Sequence, residues 1–243
     1  MTKIIFLMLT YDRFQYTKKS VAALLANDFA FHLAIHDNGS TEPGMIDYLR
    51  GLKASDRRVL DVHFAGENLG LPAPTNAFWE RHIDSYPYLG KLDNDTLVPE
   101  DAVERLVDIL DHCPRVAVCH GHHWSGVNFP ARRLVNVDGR LLLKAKWGGG
   151  CFYGIRSSVV RRFGRIGISY GKMGGWTRYQ IKVRRKGWKV VYAYPLVRVR
   201  HLGEAASGRP EEHGQYISYY GEIGRRRRTP GAHDQRSEDS KAE

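Results

Sequence analysis

Two carboxylates one residue apart, Asp93 and Asp95, stand in the segment Lys91-Leu92-Asp93-Asn94-Asp95-Thr96-Leu97-Val98-Pro99, directly after a run that reads as a buried strand. Carboxylates in that spacing can share a hard divalent cation, Mg²⁺ or Mn²⁺, and such a cation neutralises a diphosphate. In an open parallel sheet ligands gather beyond the C-terminal strand ends, so the position suits a phosphate-binding centre. The same triplet, taken in isolation, reads as a polar turn capping a helix that opens at Pro99. Its surroundings therefore matter. Polar turns also close the earlier strands: Thr10-Tyr11-Asp12-Arg13 after the first, His36-Asp37-Asn38-Gly39-Ser40 after the second, and Glu67-Asn68-Leu69-Gly70 after the third, with Asn76 opening the next helix.

The elements that must position these turns alternate between strand and helix. Ile4–Leu9, Phe31–Ile35, Val59–Phe64, Tyr88–Leu92 and Val116–Cys119 read as strands. Gln15–Leu25, Met45–Leu52, Pro72–Ile83 and Pro99–Leu110 read as the helices between them. That rhythm predicts βαβ units and a mostly parallel central sheet flanked by helices, an α/β fold in a single domain. Beyond residue 130 the rhythm breaks. Leu134–Val137 and Arg140–Leu143 flank Asp138-Gly139, a hairpin turn signal, and Trp147-Gly148-Gly149-Gly150-Cys151 is a loop whose glycines allow close backbone approach. Ser157–Phe163 and Thr177–Arg185 then read as helices, and Val190–Tyr194 and Leu196–Val199 as strands.

Charge is unevenly spread over the 243 residues, which carry a formal net charge of +11. Residues 1–138 hold 14 Lys/Arg against 18 Asp/Glu, net −4; residues 139–203 hold 16 Lys/Arg and no acid; residues 204–243 hold 7 against 8, net −1. Soluble surfaces usually mix signs, so 65 consecutive residues without a carboxylate imply an anionic partner. No apolar run approaches the roughly 18 to 20 residues that span a bilayer. Three cysteines, Cys113, Cys119 and Cys151, without metal-ligand spacing suit a reducing compartment, so a cytoplasmic location is expected, possible contact with a membrane surface included. From about Arg225 the Arg225–Arg228 run and the polar residues after it lack the apolar content that would offset ordering entropy, which predicts a disordered tail over 225–243.

Taken in order, the four polar turns resemble the motifs of the family 2 glycosyltransferases of the GT-A fold, over roughly residues 1–203. Thr10-Tyr11-Asp12-Arg13 is similar to the family's first turn, Asp37–Ser40 to its Asp-Asp/Asn-Gly-Ser, Asn68, Gly70 and Asn76 to its Asn-x-Gly and following Asn, and Asp93 and Asp95 to its D-x-D. The resemblance implies a nucleotide-binding half, 1–98, an acceptor half, 99–224, and a hexosyltransferase using a nucleotide-sugar, with UDP the first expectation. It implies that Asp37 contacts the nucleobase and Asp93 the ribose or the metal shell. Asp95 then ligates the metal, and His201, before Gly203, is a third ligand. Gly148–Gly150 followed by Ile155-Arg156 resembles the segment lining donor sugar and acceptor, where Trp147, Trp176 and Tyr170 could stack on a ring or belong to the core.

One departure stands out. Where the family places a Glu-Asp pair that includes the general base of inverting members, this chain has Gly175 and Trp176. A base accelerates such a transfer about 10²–10⁴-fold, so three alternatives arise. Glu204, or less directly Asp12 or His122, replaces it; or the reaction is retaining, with the leaving diphosphate taking the proton; or the acceptor is anionic and already nucleophilic. Arg184-Arg185-Lys186 is either a solvated helix face or part of an acceptor surface. A transferase acting on modified nucleic acid and a catalytically impaired sugar-nucleotide-binding protein remain alternatives. A sugar-phosphate nucleotidyltransferase is disfavoured because Tyr11-Asp12-Arg13-Phe14 lacks the Gly-rich Arg/Lys loop such enzymes carry after strand one.

Overall fold

Strand β1, Ile4–Thr10, is buried at every position, and its alternating side chains feed two cores. Ile4, Phe6 and Met8 join one, while Ile5, Leu7 and Leu9 join the other. A strand apolar on both faces needs a helical layer on each. In the computed structural model, which describes residues 2–123, 131–167 and 174–202, those layers are present. On the first side lie α1 (Phe14–Leu25), α2 (Met45–Ser55) and α4 (Ala102–His112), contributing Val21, Leu24, Met45, Leu49, Val103, Leu106 and Leu110. On the second lie α3 (Pro72–His82), α5 (Ser157–Phe163) and α6 (Gly175–Arg185), contributing Phe78, Trp79, Val159, Phe163, Tyr179 and Val183. Each such side chain stabilises the fold by about 1.5–3 kcal/mol relative to exposure.

The remaining strands are β2 (His32–Asp37), β3 (Val59–Phe64), β4 (Tyr88–Asp93), β5 (Thr96–Leu97), β6 (Val116–His120), β7 (His122–His123), β8 (Ala131–Val137), β9 (Arg140–Ala145), β10 (Phe152–Arg156), β11 (Lys189–Tyr192) and β12 (Arg198–His201). With β1, eight of them form one nine-stranded sheet in the order β3-β2-β1-β4-β10-β6-β11-β9-β8, and β5-β12-β7 form a small second sheet. The expected parallel run holds for β3-β2-β1-β4. From β10 onward the sheet is mixed: β10 runs antiparallel to both β4 and β6, β11 is parallel to β6, and the β8–β9 hairpin closes the edge through Asp138-Gly139. Among the described residues no helix is long and apolar enough to cross a membrane.

Element bounds depart from the sequence reading in instructive places. Pro99 does not open α4 but sits one turn ahead of it, where Ala102 N–H bonds the Pro99 carbonyl at 3.0 Å. The last strand lies at Arg198–His201 rather than Leu196–Val199, because it pairs with β5 and β7 rather than extending the main sheet. β10 has no counterpart in the sequence reading. Gly154 interrupts its apolar run, and glycine weakens strand patterns, but only an extended segment bonding both neighbours fills the gap between β4 and β6. Tyr170, Glu204, residues 203–224 of the expected domain and the 225–243 tail with Arg225–Arg228 lie outside the described residues.

Candidate active site

Strand register brings the polar turns together. Thr10 pairs with Asp37 across β1 and β2, and Leu9 with Asp93 across β1 and β4, so three strand ends meet on one edge of the sheet. Thr10 Oγ1 donates to Asp37 Oδ1 at 2.8 Å. The Asp37 carboxylate, 1% exposed, also accepts from the backbone N–H of Gly39 at 3.1 Å and Ser40 at 2.9 Å and from the Ser40 hydroxyl. Its bonding holds its own loop in shape and fastens it to the end of β1. Gly39 has φ +82°, and a Cβ there would lie 2.8 Å from the Glu67 backbone nitrogen, so this turn packs against the one after β3. Asn38 Nδ2 donates to the Gly70 carbonyl at 3.1 Å, and Asn68 Oδ1 accepts from Gly70 N–H at 2.9 Å, which ties the two turns together.

The turn after β1 is strained. Asp12 and Arg13 have φ of 49° and 59°, a region non-glycine residues seldom occupy. It is held from two sides. Asp12 Oδ1 accepts the backbone N–H of Thr41 at 2.7 Å and Glu42 at 2.9 Å, while Asn94 Nδ2 reaches the Asp12 carbonyl at 3.3 Å and Thr17 Oγ1 at 3.0 Å. This backbone carries the Arg13 guanidinium to Asp95 Oδ2 in an ion pair.

Asp95 is 4% exposed. The β5–β12 pairing sets His201 opposite Thr96, and Leu202 N–H bonds the Asp95 carbonyl at 2.7 Å. His201 Nε2 thereby comes to 3.1 Å from Asp95 Oδ1. Burial, the largest single influence, pushes the Asp95 pKa up, but the hydrogen bond and charge of His201, with the charges of Arg13 and Lys91, outweigh it and hold the pKa below the usual carboxylate value. Asp93, Asp95 and His201 each offer a ligand atom, all within 4.8 Å of one another. Two carboxylates and one imidazole suit Mn²⁺ or Mg²⁺, with the nitrogen favouring Mn²⁺ of the two. The donor set fits such an ion.

Lys91, which the sequence reading placed in the strand without giving it a role, completes the group. It is 6% exposed, ion-paired with Asp93 and bonded to the Gly150 carbonyl at 3.0 Å. Asp93 N–H donates to the Cys151 carbonyl at 2.8 Å, so the glycine segment is fastened to the acidic turn. At its other end Gly148 is gripped by the Gln180 amide, which accepts from Gly148 N–H at 2.8 Å and donates to its carbonyl at 3.0 Å. Gln180 Oε1 also lies 2.9 Å from His120 Nε2. A Cβ on residue 148 would meet the His120 ring at 2.2 Å, so only glycine fits. A lysine inside a buried strand was a visible anomaly that could have been read; Gln180 and His120 carry no sequence signal.

The remaining sequence-predicted residues lie in varied surroundings. Asn76 bonds Ile166 with both ends of its amide, donating to the carbonyl at 2.9 Å and accepting from the N–H at 2.8 Å. Trp176 stacks on Tyr153 with ring centroids 4.2 Å apart and meets Trp79, His120 and Tyr179, placing it in an aromatic cluster under Gly150. Trp147 is 37% exposed at the mouth of the glycine segment. Tyr11 is part-buried and Gly149 exposed. His122, 5% exposed, is packed against Tyr192 in the interior. At position 175 a Cβ would lie 2.1 Å from the Gly167 carbonyl, so this packing admits no carboxylate there.

With this geometry in place, the chain can be set beside known proteins. No curated protein sequence matches it significantly. The fold is similar to that of a mannosyltransferase, PcManGT from Pyrobaculum calidifontis, solved with GDP-Man and Mn²⁺: TM-score 0.68, 13% identity, covering 95% of this chain and 66% of that one. It is also similar to S. aureus TarS in complex with UDP-GlcNAc, with TM-score 0.61, 13% identity and coverage of 82% and 58%. A third likeness is to GalNAc-T7 with UDP, GalNAc and Mn²⁺, with TM-score 0.65, 12% identity and coverage of 83% and 44%. The chain thus spans no more than about two thirds of the length of these structures. The family model described as glycosyl transferase family 2 matches residues 5–165, well over half of the sequence and all four polar turns, and the chain belongs to that family.

Proposed function

We propose that this chain is a metal-dependent glycosyltransferase that moves a hexose from a nucleotide-sugar, UDP-linked in the first instance, to an anionic acceptor. The observation that carries the reading is the convergence of Asp93, Asp95 and His201 within 4.8 Å at the end of β4. Those three residues would hold Mn²⁺ or Mg²⁺, which supplies charge stabilisation for a departing diphosphate. Thr10–Arg13, the Asp37–Ser40 loop and the Asn68–Gly70 turn form the floor for the nucleoside. Because the Asp37 carboxylate is taken up by Thr10 and its own loop, its role is to hold that loop in shape for the base. The glycine segment, fastened by Lys91 and Gln180, lines the sugar, with Trp147 at its edge. The anionic character of the acceptor rests on the acid-free stretch 139–203. Three buried, unbridged cysteines support a cytoplasmic setting.

A second reading, a sugar-nucleotide-binding protein without transfer activity, is favoured by one observation, the Gly175-Trp176 pair where the family's base would stand. One experiment separates the two. Thermal shift with UDP- and GDP-sugars, with and without Mn²⁺, is followed by donor hydrolysis in wild type and Asp95→Ala. Transferase chemistry predicts manganese-dependent hydrolysis that falls about 10²-fold or more in the variant. Nucleotide-dependent stabilisation without turnover, unchanged by the substitution, would leave only the binding protein.

A further inference from the structure

Each carboxylate of the candidate metal site is already paired with a basic side chain of the chain. Arg13 pairs with Asp95, and Lys91 pairs with Asp93. The second oxygen of Asp95 faces His201 Nε2 at 3.1 Å. Before His201 is counted, two carboxylates already stand against two basic side chains in a region where Asp95 is 4% and Lys91 6% exposed. A bare dication entering there would leave uncompensated positive charge in a poorly solvated place. A dication arriving with a nucleoside diphosphate brings its own compensation and gives both side chains phosphate oxygens to turn to. The two cations are held from different directions. Arg13 rides on the strained turn that Asn94, inside the acidic triplet, secures through the Asp12 carbonyl, whereas Lys91 is anchored by the Gly150 carbonyl.

We propose that Arg13 and Lys91 are positioning residues that act through Asp95 and Asp93 as resident counter-cations, keeping metal affinity low until the donor diphosphate arrives, so that metal and nucleotide load together. This rests on the metal reading of Asp93, Asp95 and His201. The test is a Mn²⁺ titration followed by the electron paramagnetic resonance signal of free Mn²⁺, with and without UDP or GDP, on wild type, Arg13→Gln, Arg13→Lys and Lys91→Met, each checked for folding by circular dichroism. In wild type the nucleotide should tighten Mn²⁺ binding about tenfold or more. Arg13→Gln and Lys91→Met should each tighten binding of Mn²⁺ alone by a similar factor and shrink the nucleotide effect, while Arg13→Lys, which keeps the charge, should stay near wild type. Structural damage would weaken binding, not tighten it. Should Lys91→Met fail to fold, the part-exposed Arg13 decides the matter alone. Unchanged or weaker affinity for Mn²⁺ alone in the folded variants overturns the counter-cation role and leaves the metal site standing. No Mn²⁺ binding by wild type with either nucleotide overturns both.

Discussion

At the ends of β1, β2 and β4 the carboxylates have partners inside the protein: Asp37 in its own loop, Asp12 on two backbone amides, Asp93 on Lys91 and Asp95 on Arg13 and His201. The basic stretch is built differently. Arg140, Arg161 and Arg165 borrow acids from the first half, Asp108, Asp84 and Glu80, and Lys182 and Arg184 rest on carbonyls. Arg185 and Lys186, exposed at the end of α6, have no acid partner among the described residues. The strand-end carboxylates are therefore already partnered, so a cation binding there would have to exchange with those partners. Among the described residues Arg185 and Lys186 keep their charge unpaired by any acid, so an anion could bind them without displacing one.

Three outcomes would break or sharpen that contrast. The largest is expected from Asp37→Ala, which leaves the buried Thr10 hydroxyl and the part-buried Ser40 hydroxyl and Gly39 and Ser40 amides without their acceptor; chemical denaturation should show a loss of about 4 kcal/mol. A value below about 1 kcal/mol would mean that the loop is not prebuilt. Next comes pH. Burial, partly offset by the Gln180 hydrogen bond, lowers the His120 pKa from 6.5 to about 4. Between those values the unfolded chain binds a proton that the folded one refuses, so stability rises with pH across that window and is flat above it. Acidification from 6.5 toward 4 should cost roughly 3 kcal/mol from this group, and His120→Asn should flatten that part of the melting profile. A variant with the same slope would remove His120 as its cause.

The smallest effect on stability belongs to the double substitution Arg185→Glu and Lys186→Glu. Unfolding free energy should move by less than about 0.5 kcal/mol, while binding of polyphosphate weakens several-fold with a shallower salt dependence. A large stability loss with unchanged polyphosphate binding would make these cations structural and equalise the two regions. Duplex DNA serves as the parallel ligand: a steeper salt dependence there than with polyphosphate would favour a nucleic-acid acceptor.

What the residues alone determined is the strand–helix rhythm of the first half, the polar turn after each of its strands and the sign of the charge in the second half. Those properties are local, since a strand apolar on both faces or a turn-forming Asp-Asn-Gly-Ser carries its signal within a few positions. β3 and α5 fall on the ranges expected from sequence, Val59–Phe64 and Ser157–Phe163. Only the tertiary structure decided that β10 fills the sheet between β4 and β6, and that Asn76 serves Ile166. It also decided that His201 meets Asp95 across 106 positions through the β5–β12 pairing. Lys91 shows the division in one residue. Its presence in a buried strand was legible, but its choice of Asp93 and the Gly150 carbonyl depends on contacts that no local pattern encodes, because the energy that selects them exists only once distant segments are packed together.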